Sequence, residues 1–238
     1  MKMTVNPIWL IMLVFVQDYF YNFETAHWVL DKDSPIPKLV FYDGIKKLYI
    51  LFVLGVLMSV LFFRRRSLFA PYKKGLLIVL FSCVAVPLFI SLLKATTHVP
   101  CPKDIQHYGG VYPYVTVFST YPDSFRQTKN IKCYPAGHAS GGFALMSLFF
   151  LFSRKRNKII ALIFAVLVGW TIGVYKMIIG DHFFSHTFIS MVLSWLLILF
   201  IRCGVDGFYS YKCANRKAMH VGQYHEEKGA ANFLTLKR

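Results

Sequence analysis

The sequence predicts an all-α integral membrane protein with about six transmembrane helices. Of its 238 residues, 56% are hydrophobic, 17% are aromatic and only 16% are charged. The apolar residues stand in long blocks and not in the narrow stripes of amphipathic helices, which is typical of helices that face lipid. The formal net charge is +16, but the basic residues lie in short runs beside the apolar blocks. Such runs are typical of cytoplasmic loops, so we expect the bilayer, and no nucleic acid, as a partner.

Six apolar blocks define the predicted spans. A bilayer core needs about 20 helical residues, with a lower bound of about 17, and the third, fifth and sixth blocks meet this length while the second nearly does. The fourth block is short, so we expect it to begin inside the preceding polar turn, shielded by protein. The first resembles a signal sequence but lacks a small-residue cleavage site, so we keep it as a membrane segment. The blocks are 7–16, 48–63, 75–93, 139–152, 159–175 and 183–201.

Basic runs predict the orientation of these spans. Residues 64–74, 154–158 and the chain after residue 201 alternate with the spans so that all three lie on one side, which the positive-inside rule makes the cytoplasm. The other polar segments then lie outside; they are 17–47, 94–138 and 176–182.

The domain organisation follows from the absence of internal repeats and low-complexity linkers in the sequence. We expect residues 1–205 to form a single membrane-embedded domain and residues 206–238 to form a basic cytoplasmic tail. The sequence leaves the oligomeric state open.

The first polar cluster on the outer side is "KATTHVPCPKD", residues 94–104. Lys94 directly follows an apolar block, so its ammonium group is expected at the membrane interface. A lone lysine at this place commonly just ends a helix by reaching toward water. Here His98, Lys103 and two prolines form a stiff cationic turn after it, which favours a site for an anion.

The second cluster is "CYPAGHASGG", residues 133–142, in which Gly137 and His138 stand at the start of an apolar helix. The free N–H groups of a helix N-terminus bind anions such as phosphate. The small residues that follow let helix backbones approach closely. A simple helix start with a packing face and an interface histidine explains the same pattern equally well.

The third cluster is "GVYKMIIGDHFFSHT", residues 173–187. His182 and His186 are four residues apart, which places both on one face of a helix beginning near Gly180. An imidazole is a good nucleophile and needs a partner on its far nitrogen, and His186 is a candidate for that partner. On such a helix Asp181 is expected to point roughly 100° away from His182. A pair of helix-end histidines or a metal-binding pair is the alternative.

Taken together, in order and spacing, the three clusters resemble the signatures of the type 2 phosphatidic acid phosphatase family, membrane relatives of bacterial acid phosphatases and vanadium haloperoxidases. That family's pattern is K-x6-R-P, P-S-G-H and S-R-x5-H-x3-D, whereas this chain has K-x6-C-P, P-A-G-H and K-x5-H-x3-H. The resemblance covers roughly residues 40–200. Stretches such as "HVPCPKDIQHYGG" and "PAGHASGGFAL" are similar to a bacterial branch of the family.

The resemblance implies a lipid phosphatase that cleaves a phosphate monoester or pyrophosphate through a phosphohistidine, without a cofactor or metal. It implies that His182 is the nucleophile, that His138 protonates the leaving oxygen, and that Lys94 and Lys176 bind the phosphate beside Gly137. Fixed positive charge and a positioned acid are what phosphoryl transfer needs. The implied partner is a phosphorylated membrane lipid. The implied location is a bacterial inner membrane, with the active site at the outer face of the helix bundle, toward the periplasm.

Three departures from the family pattern affect this interpretation. Cys101 in place of arginine removes a bidentate phosphate donor, and Lys176 keeps the charge of an arginine but not its fork. His186 in place of aspartate stabilises the cationic form of the nucleophile less. A catalytically inactive member is therefore an alternative. A lipid phosphotransferase is another, since a phosphohistidine can pass its phosphate to a second lipid as well as to water. Candidates for the missing phosphate donor are His98, Lys103 and Arg126.

The two outer cysteines, Cys101 and Cys133, flank the polar loop between the first two clusters. In an oxidising periplasm we expect them to form a disulfide. Together with His98 and His138 they also offer ligand types that suit zinc, which makes a zinc-binding membrane protein an alternative. Their spacing is looser than in established zinc motifs, and a zinc site leaves the lysines and the third-cluster histidines without a role.

Overall fold

The fold is described from a computed structural model, which covers residues 14–62, 66–117, 119–126 and 131–235, with residues 67, 68 and 216–235 described for the backbone alone. Most of the predicted first block, 7–16, lies outside these residues. Within the described part, four helices are long and apolar enough to cross a bilayer, namely Pro35–Phe62, Phe69–Thr96, Lys155–Ile178 and Phe184–Asn215. The predicted all-α membrane fold is confirmed, although the described part contains four such helices and not six.

Five α-helices carry the architecture. They are α1 (Ile45–Phe62), α2 (Lys73–Thr96), α3 (Gly137–Ala144), α4 (Lys155–Ile178) and α5 (Phe184–Thr235). A helical turn, Pro35–Pro37, and a π-helical segment, Lys38–Gly44, lead into α1. Short 3-10 helices cover Ser67–Tyr72, Pro102–Asp104, Gln106–Tyr108 and Leu145–Phe150. Two short strands, β1 (Tyr21–Asn22) and β2 (His27–Trp28), pair antiparallel.

The predicted blocks and the observed helices agree best where the apolar run is longest. The third and fifth blocks lie inside α2 and α4, and all but the last residue of the second lies in α1. All but the first residue of the sixth lies in α5, which continues without a break past residue 205 to Thr235. The fourth block forms the short helix α3 and the 3-10 helix that continues it. This helix begins at Gly137, inside the polar turn, and contacts α2, α4 and α5.

Helix α3 lies at the centre of the bundle because its small residues allow neighbouring backbones to come close. A Cβ atom added to Gly142 would lie 2.6 Å from the Cα atom of Gly169 on α4. No side chain fits at this contact, so only glycine permits the approach. Around it, buried apolar residues form the core; they include Val79, Val86, Ala139, Phe143, Ala165 and Ile198.

Helix α2 contains a proline, Pro87, whose missing N–H leaves the carbonyl of Cys83 without its helical hydrogen bond. The hydroxyl of Tyr49 on α1 donates a hydrogen bond of 2.7 Å to that carbonyl. In a bilayer a free carbonyl has no water to bind, so this contact satisfies the backbone and also joins α1 to α2. Among the described residues of α1, Val56 is the one whose side chain is buried.

The three basic runs meet at one end of the bundle. Lys74, in the first turn of α2, forms an ion pair of 2.7 Å with Asp206 on α5. The guanidinium of Arg202 lies 4.9 Å from the ring centre of Phe150, and the ammonium of Lys158 lies 5.5 Å from that of Phe149. The outer polar clusters lie at the other end, where α2 and α4 finish and where α3 and α5 begin.

We predict that Tyr49→Phe lowers the free energy of unfolding by about 1–2 kcal/mol, because it leaves the Cys83 carbonyl unsatisfied. The measurement is the thermal midpoint of the detergent-solubilised protein. Tyr19→Phe, at a side chain that is 86% exposed, is the matched control and should leave the midpoint unchanged. In a Pro87→Ala background the loss should shrink, since residue 87 then supplies its own N–H; an undiminished loss there would contradict the explanation.

Candidate active site

The three polar clusters are joined by backbone hydrogen bonds at the end of the bundle opposite the basic runs. The N–H of Lys103 donates to the carbonyl of Gly180 at 3.1 Å. The N–H of Ala136 donates to the carbonyl of His186 at 3.2 Å. The first cluster is therefore fixed to the third, and the second is fixed to the third as well. Segments that are far apart in sequence form one site.

The turn between α4 and α5 positions the third cluster. Gly180 has φ +75°, a left-handed conformation that favours glycine. A Cβ atom at this position would lie 2.3 Å from the indole of Trp28, so the outer hairpin packs directly on the turn. The N–H groups of Asp181 and His182 both donate to the carbonyl of Lys176, at 2.8 and 3.2 Å.

The structure corrects the predicted start of the helix in the third cluster. Helix α5 begins at Phe184 and not near Gly180, so Asp181 belongs to the turn and does not follow helical geometry. Its carboxylate accepts hydrogen bonds from two ammonium groups, from Lys176 at 2.8 Å and from Lys103 at 2.6 Å. We call these three side chains the lysine bridge.

The charged groups of the lysine bridge are poorly solvated and affect one another's protonation. The side chain of Lys176 is only 8% exposed and that of Asp181 is 21% exposed. Burial alone would raise the pKa of Asp181, but the neighbouring Lys176 and Lys103 outweigh it and hold that pKa at about 2. Asp181 is therefore a carboxylate throughout the neutral pH range.

Tyr42 is a part of the site that the sequence patterns did not reveal. The ammonium of Lys176 lies 4.8 Å from the centre of its ring, which is close enough for a cation–π contact. The Tyr42 ring also lies 5.2 Å, centre to centre, from that of His138. Tyr42 belongs to the π-helical segment before α1, in a stretch that carries no motif of the three clusters.

The three predicted histidines form a row. The ring centres of His138 and His182 are 6.3 Å apart, and those of His182 and His186 are 5.8 Å apart. His182 is 2% exposed and His186 is 3% exposed. His138 is exposed, and its ring lines an apolar cavity. The two histidines predicted to share a helix face are thus close together, although His182 precedes the helix.

The expected hydrogen bond between His182 and His186 is absent: neither ring nitrogen of His182 has a partner among the described residues. His186 instead hydrogen-bonds the backbone of Cys133. Burial, followed by the charges of His186 and Lys94, holds the pKa of His182 well below its usual value. His182 is therefore neutral near pH 7 and has a free lone pair, which is the form that a nucleophile needs.

His138 must be protonated, and not neutral, if it acts as an acid. Its ring faces the apolar cavity, and this desolvation, together with the charges of Lys176 and Lys94, lowers its pKa to about 4. A bound anion between these groups would oppose the effect of the lysines and raise the pKa of His138.

The remaining predicted phosphate-binding residues divide into two groups. Lys94 is half-buried at the end of α2, and its Cδ atom would lie 3.8 Å from a Cβ atom on Gly137, at the start of α3. Lys103 lies in the lysine bridge. His98 and Arg126 are exposed, and no described side-chain contact joins either to the site. Of the three candidates for the missing donor, Lys103 is the one that the structure places beside Lys176.

A disulfide joins Cys101 and Cys133. Next to it, the N–H of Cys133 donates to the carbonyl of Val99 at 3.1 Å, and the hydroxyl of Thr97 donates to the carbonyl of Tyr134. The disulfide therefore links the turn that carries Lys103 to the segment that leads into α3.

This disulfide bears on the zinc alternative, which needs both sulfur atoms as thiolates. Within the described part of the chain, the side chains close enough to share a metal ion are those of Cys101, Asp104 and Cys133. This group contains neither His98 nor His138. Because two of its three members are joined covalently, the predicted zinc ligands do not come together as a set.

An apolar cavity of about 620 Å³ opens onto His138 from between the helices. Its wall comes from α1, α2, α3 and α4 and from the segment before α1. Apolar and aromatic side chains dominate the lining, and Lys46 contributes a cation. The lining includes Phe41, Tyr42, Ile45, Lys46, Tyr49, Phe52, Pro87, Gly141, Leu145, Phe164, Leu167 and Ile172.

Comparison with known proteins gives one family match. A family model described as the PAP2 superfamily matches residues 75–209, which is more than half of the chain and includes all three clusters. No curated protein and no solved structure matches the chain significantly.

We predict that the double variant Cys101→Ser with Cys133→Ser is less stable by roughly 3–4 kcal/mol, from the chain-entropy model for a loop of this length. The two cysteines are 32 residues apart. The measurement is the thermal midpoint with and without reductant. Cys203→Ser with Cys213→Ser, at two exposed free cysteines, is the control. A wild-type midpoint that reductant does not move would contradict the prediction.

Proposed function

Since the chain belongs to the PAP2 superfamily, and is accordingly a membrane protein of phosphatase type, we propose that it removes phosphate from a membrane lipid through a phosphohistidine on His182. The observation that carries this proposal is the row of His138 and a buried, neutral His182 beside three lysines. Each of these groups has a role in phosphoryl transfer, and they share one end of the helix bundle.

The lysines supply positive charge for the phosphate. Lys94, Lys103 and Lys176 come from the end of α2, the outer loop and the end of α4, so they approach the site from different elements. Charge builds up on the phosphate oxygens during transfer, and fixed cations in a partly dry site stabilise it strongly. The N-terminus of α3 at Gly137 adds free N–H groups and the positive end of a helix dipole.

The histidines supply the bond-making and the proton. A ring nitrogen of His182 forms a bond to phosphorus while the bond from phosphorus to the lipid oxygen breaks. His138 donates its proton to that oxygen. Water then attacks phosphorus, the N–P bond breaks, and His138 takes a proton from the water. Bound phosphate favours the protonated form of His138, because its charge opposes that of Lys94 and Lys176.

The apolar cavity supports a lipid as the substrate. It begins at His138, where the leaving oxygen would lie, and continues between helices whose outer faces carry exposed apolar residues. A hydrocarbon chain fits such a lining, whereas a soluble phosphate ester leaves it unused. Lys46 at the cavity is placed to contact a second anionic group on the substrate.

The proposed orientation follows from the two ends of the bundle. The basic end, with Lys74, Lys158 and Arg202, suits a cytoplasmic leaflet, and the site at the other end then faces the periplasm. An oxidising compartment on that side agrees with the disulfide between Cys101 and Cys133.

We predict that His182→Ala lowers phosphate release at least about a thousandfold and that His138→Ala lowers it about a hundredfold. The assay uses purified protein in detergent with a panel of lipid phosphates, including a polyprenyl pyrophosphate, a phosphatidylglycerophosphate and phosphatidic acid. His27→Ala, at an exposed histidine of β2, is the control. Undiminished turnover in either site variant would refute the assigned roles.

We predict that Gly141→Leu lowers kcat/KM about tenfold for a long-chain lipid phosphate but leaves the hydrolysis of p-nitrophenyl phosphate unchanged. A Cβ atom on Gly141 makes only ordinary contacts with Tyr49, at 3.8 Å, so the larger side chain extends into the cavity. Gly55→Leu, where a Cβ atom meets nothing within 4 Å, is the matched control. Equal losses for both substrates would argue against a chain-binding cavity.

A further inference from the structure

Asp181 stands where phosphate is proposed to bind. Its two oxygens lie 2.8 Å from the ammonium of Lys176 and 2.6 Å from that of Lys103, so each oxygen holds one cation. A phosphate group presents pairs of oxygens at a similar separation and with greater negative charge. The carboxylate therefore uses the same donors, in the same way, that a phosphate would use.

The surroundings of Lys176 make its contact with Asp181 important for its charge. Lys176 has 8% of its side chain exposed, so its charge is poorly screened by water. Its other close neighbours are the rings of Tyr42 and Tyr175, at 4.8 and 5.7 Å. Neither ring is an anion. Among the described residues, Asp181 is therefore the anion that pairs with Lys176.

Asp181 makes no hydrogen bond to the ring of the proposed nucleophile, His182. It directly precedes His182, yet neither ring nitrogen of His182 has a hydrogen-bond partner among the described residues. Asp181 thus acts on the lysines and does not orient the histidine.

We infer that Asp181 is an internal competitor for phosphate, which neutralises Lys103 and Lys176 in the empty site and gives them up when the substrate's phosphate enters. This inference rests on the proposed function. After hydrolysis the carboxylate regains the two lysines and so promotes the release of inorganic phosphate. It sets the affinity of the site for phosphate low enough for turnover.

The test measures binding of inorganic phosphate to the full-length protein in detergent by isothermal titration calorimetry, at fixed ionic strength and pH 7. For Asp181→Asn we expect the Kd for phosphate to fall about tenfold, because one competing charge is removed. Steady-state phosphate release should show a lower KM together with a lower kcat, since product leaves more slowly. Asp18→Asn removes a carboxylate that pairs with His107 at 2.9 Å, and should leave the Kd unchanged.

Each outcome is decisive. An unchanged or weaker affinity in Asp181→Asn would overturn the inference, because a residue that only positions the lysines gives that result. If wild type turns over lipid phosphate but both proteins bind phosphate equally, the inference fails while the proposed function stands. If neither protein binds phosphate, the inference fails, and the proposed function fails with it only if wild type also releases no phosphate from lipid phosphates. Asp181→Ser repeats the test should Asp181→Asn not fold, and failure of both to fold would show a structural requirement and overturn competition.

Discussion

Mutual repulsion among the lysines at the outer end of the bundle is the constraint on which the rest of the site depends. Lys94, Lys103 and Lys176 come from three separate elements, and nothing in their own chemistry draws them together. Asp181 offsets part of the repulsion. The remainder is resisted by covalent and backbone links, namely the disulfide, the hydrogen bond from Lys103 to Gly180, and the turn closed on the carbonyl of Lys176. The lysines are thus held close together by covalent and backbone links that do not depend on their charge.

An aromatic cap completes this frame. Tyr21, Tyr108 and Phe183 are buried together, and Trp28 packs against them and against Gly180. The cap is tied to α4 by Gln17, whose side-chain amide donates to the carbonyl of Met177 at 2.8 Å. Because Phe183 directly follows His182, the cap fixes the neighbour of the proposed nucleophile as well as the turn. The cap thus packs on the turn that carries His182.

Sequence reasoning succeeded for features set by long apolar runs and failed for features set by single turns. The spans now seen as α1, α2, α4 and α5 follow from hydrophobic length, which no tertiary contact overrides in a bilayer. The predicted helix start near Gly180 was wrong because that glycine has a left-handed conformation and the helix begins only at Phe184. Tyr42 had no signal in the sequence, since an aromatic residue outside the three clusters acquires a role in the site only through the neighbours that folding supplies.

Helix α5 connects the two ends of the molecule. It begins at Phe184, two residues after His182, and farther along it carries Arg202, which packs on the ring of Phe150, and Asp206, which pairs with Lys74. The 32 residues from Phe184 to Asn215 span about 48 Å as a helix, well beyond a bilayer core of about 30 Å. Because α5 continues without a break between these points, a tilt of the part that carries Arg202 and Asp206 would also move His186, next to His182, at the other end.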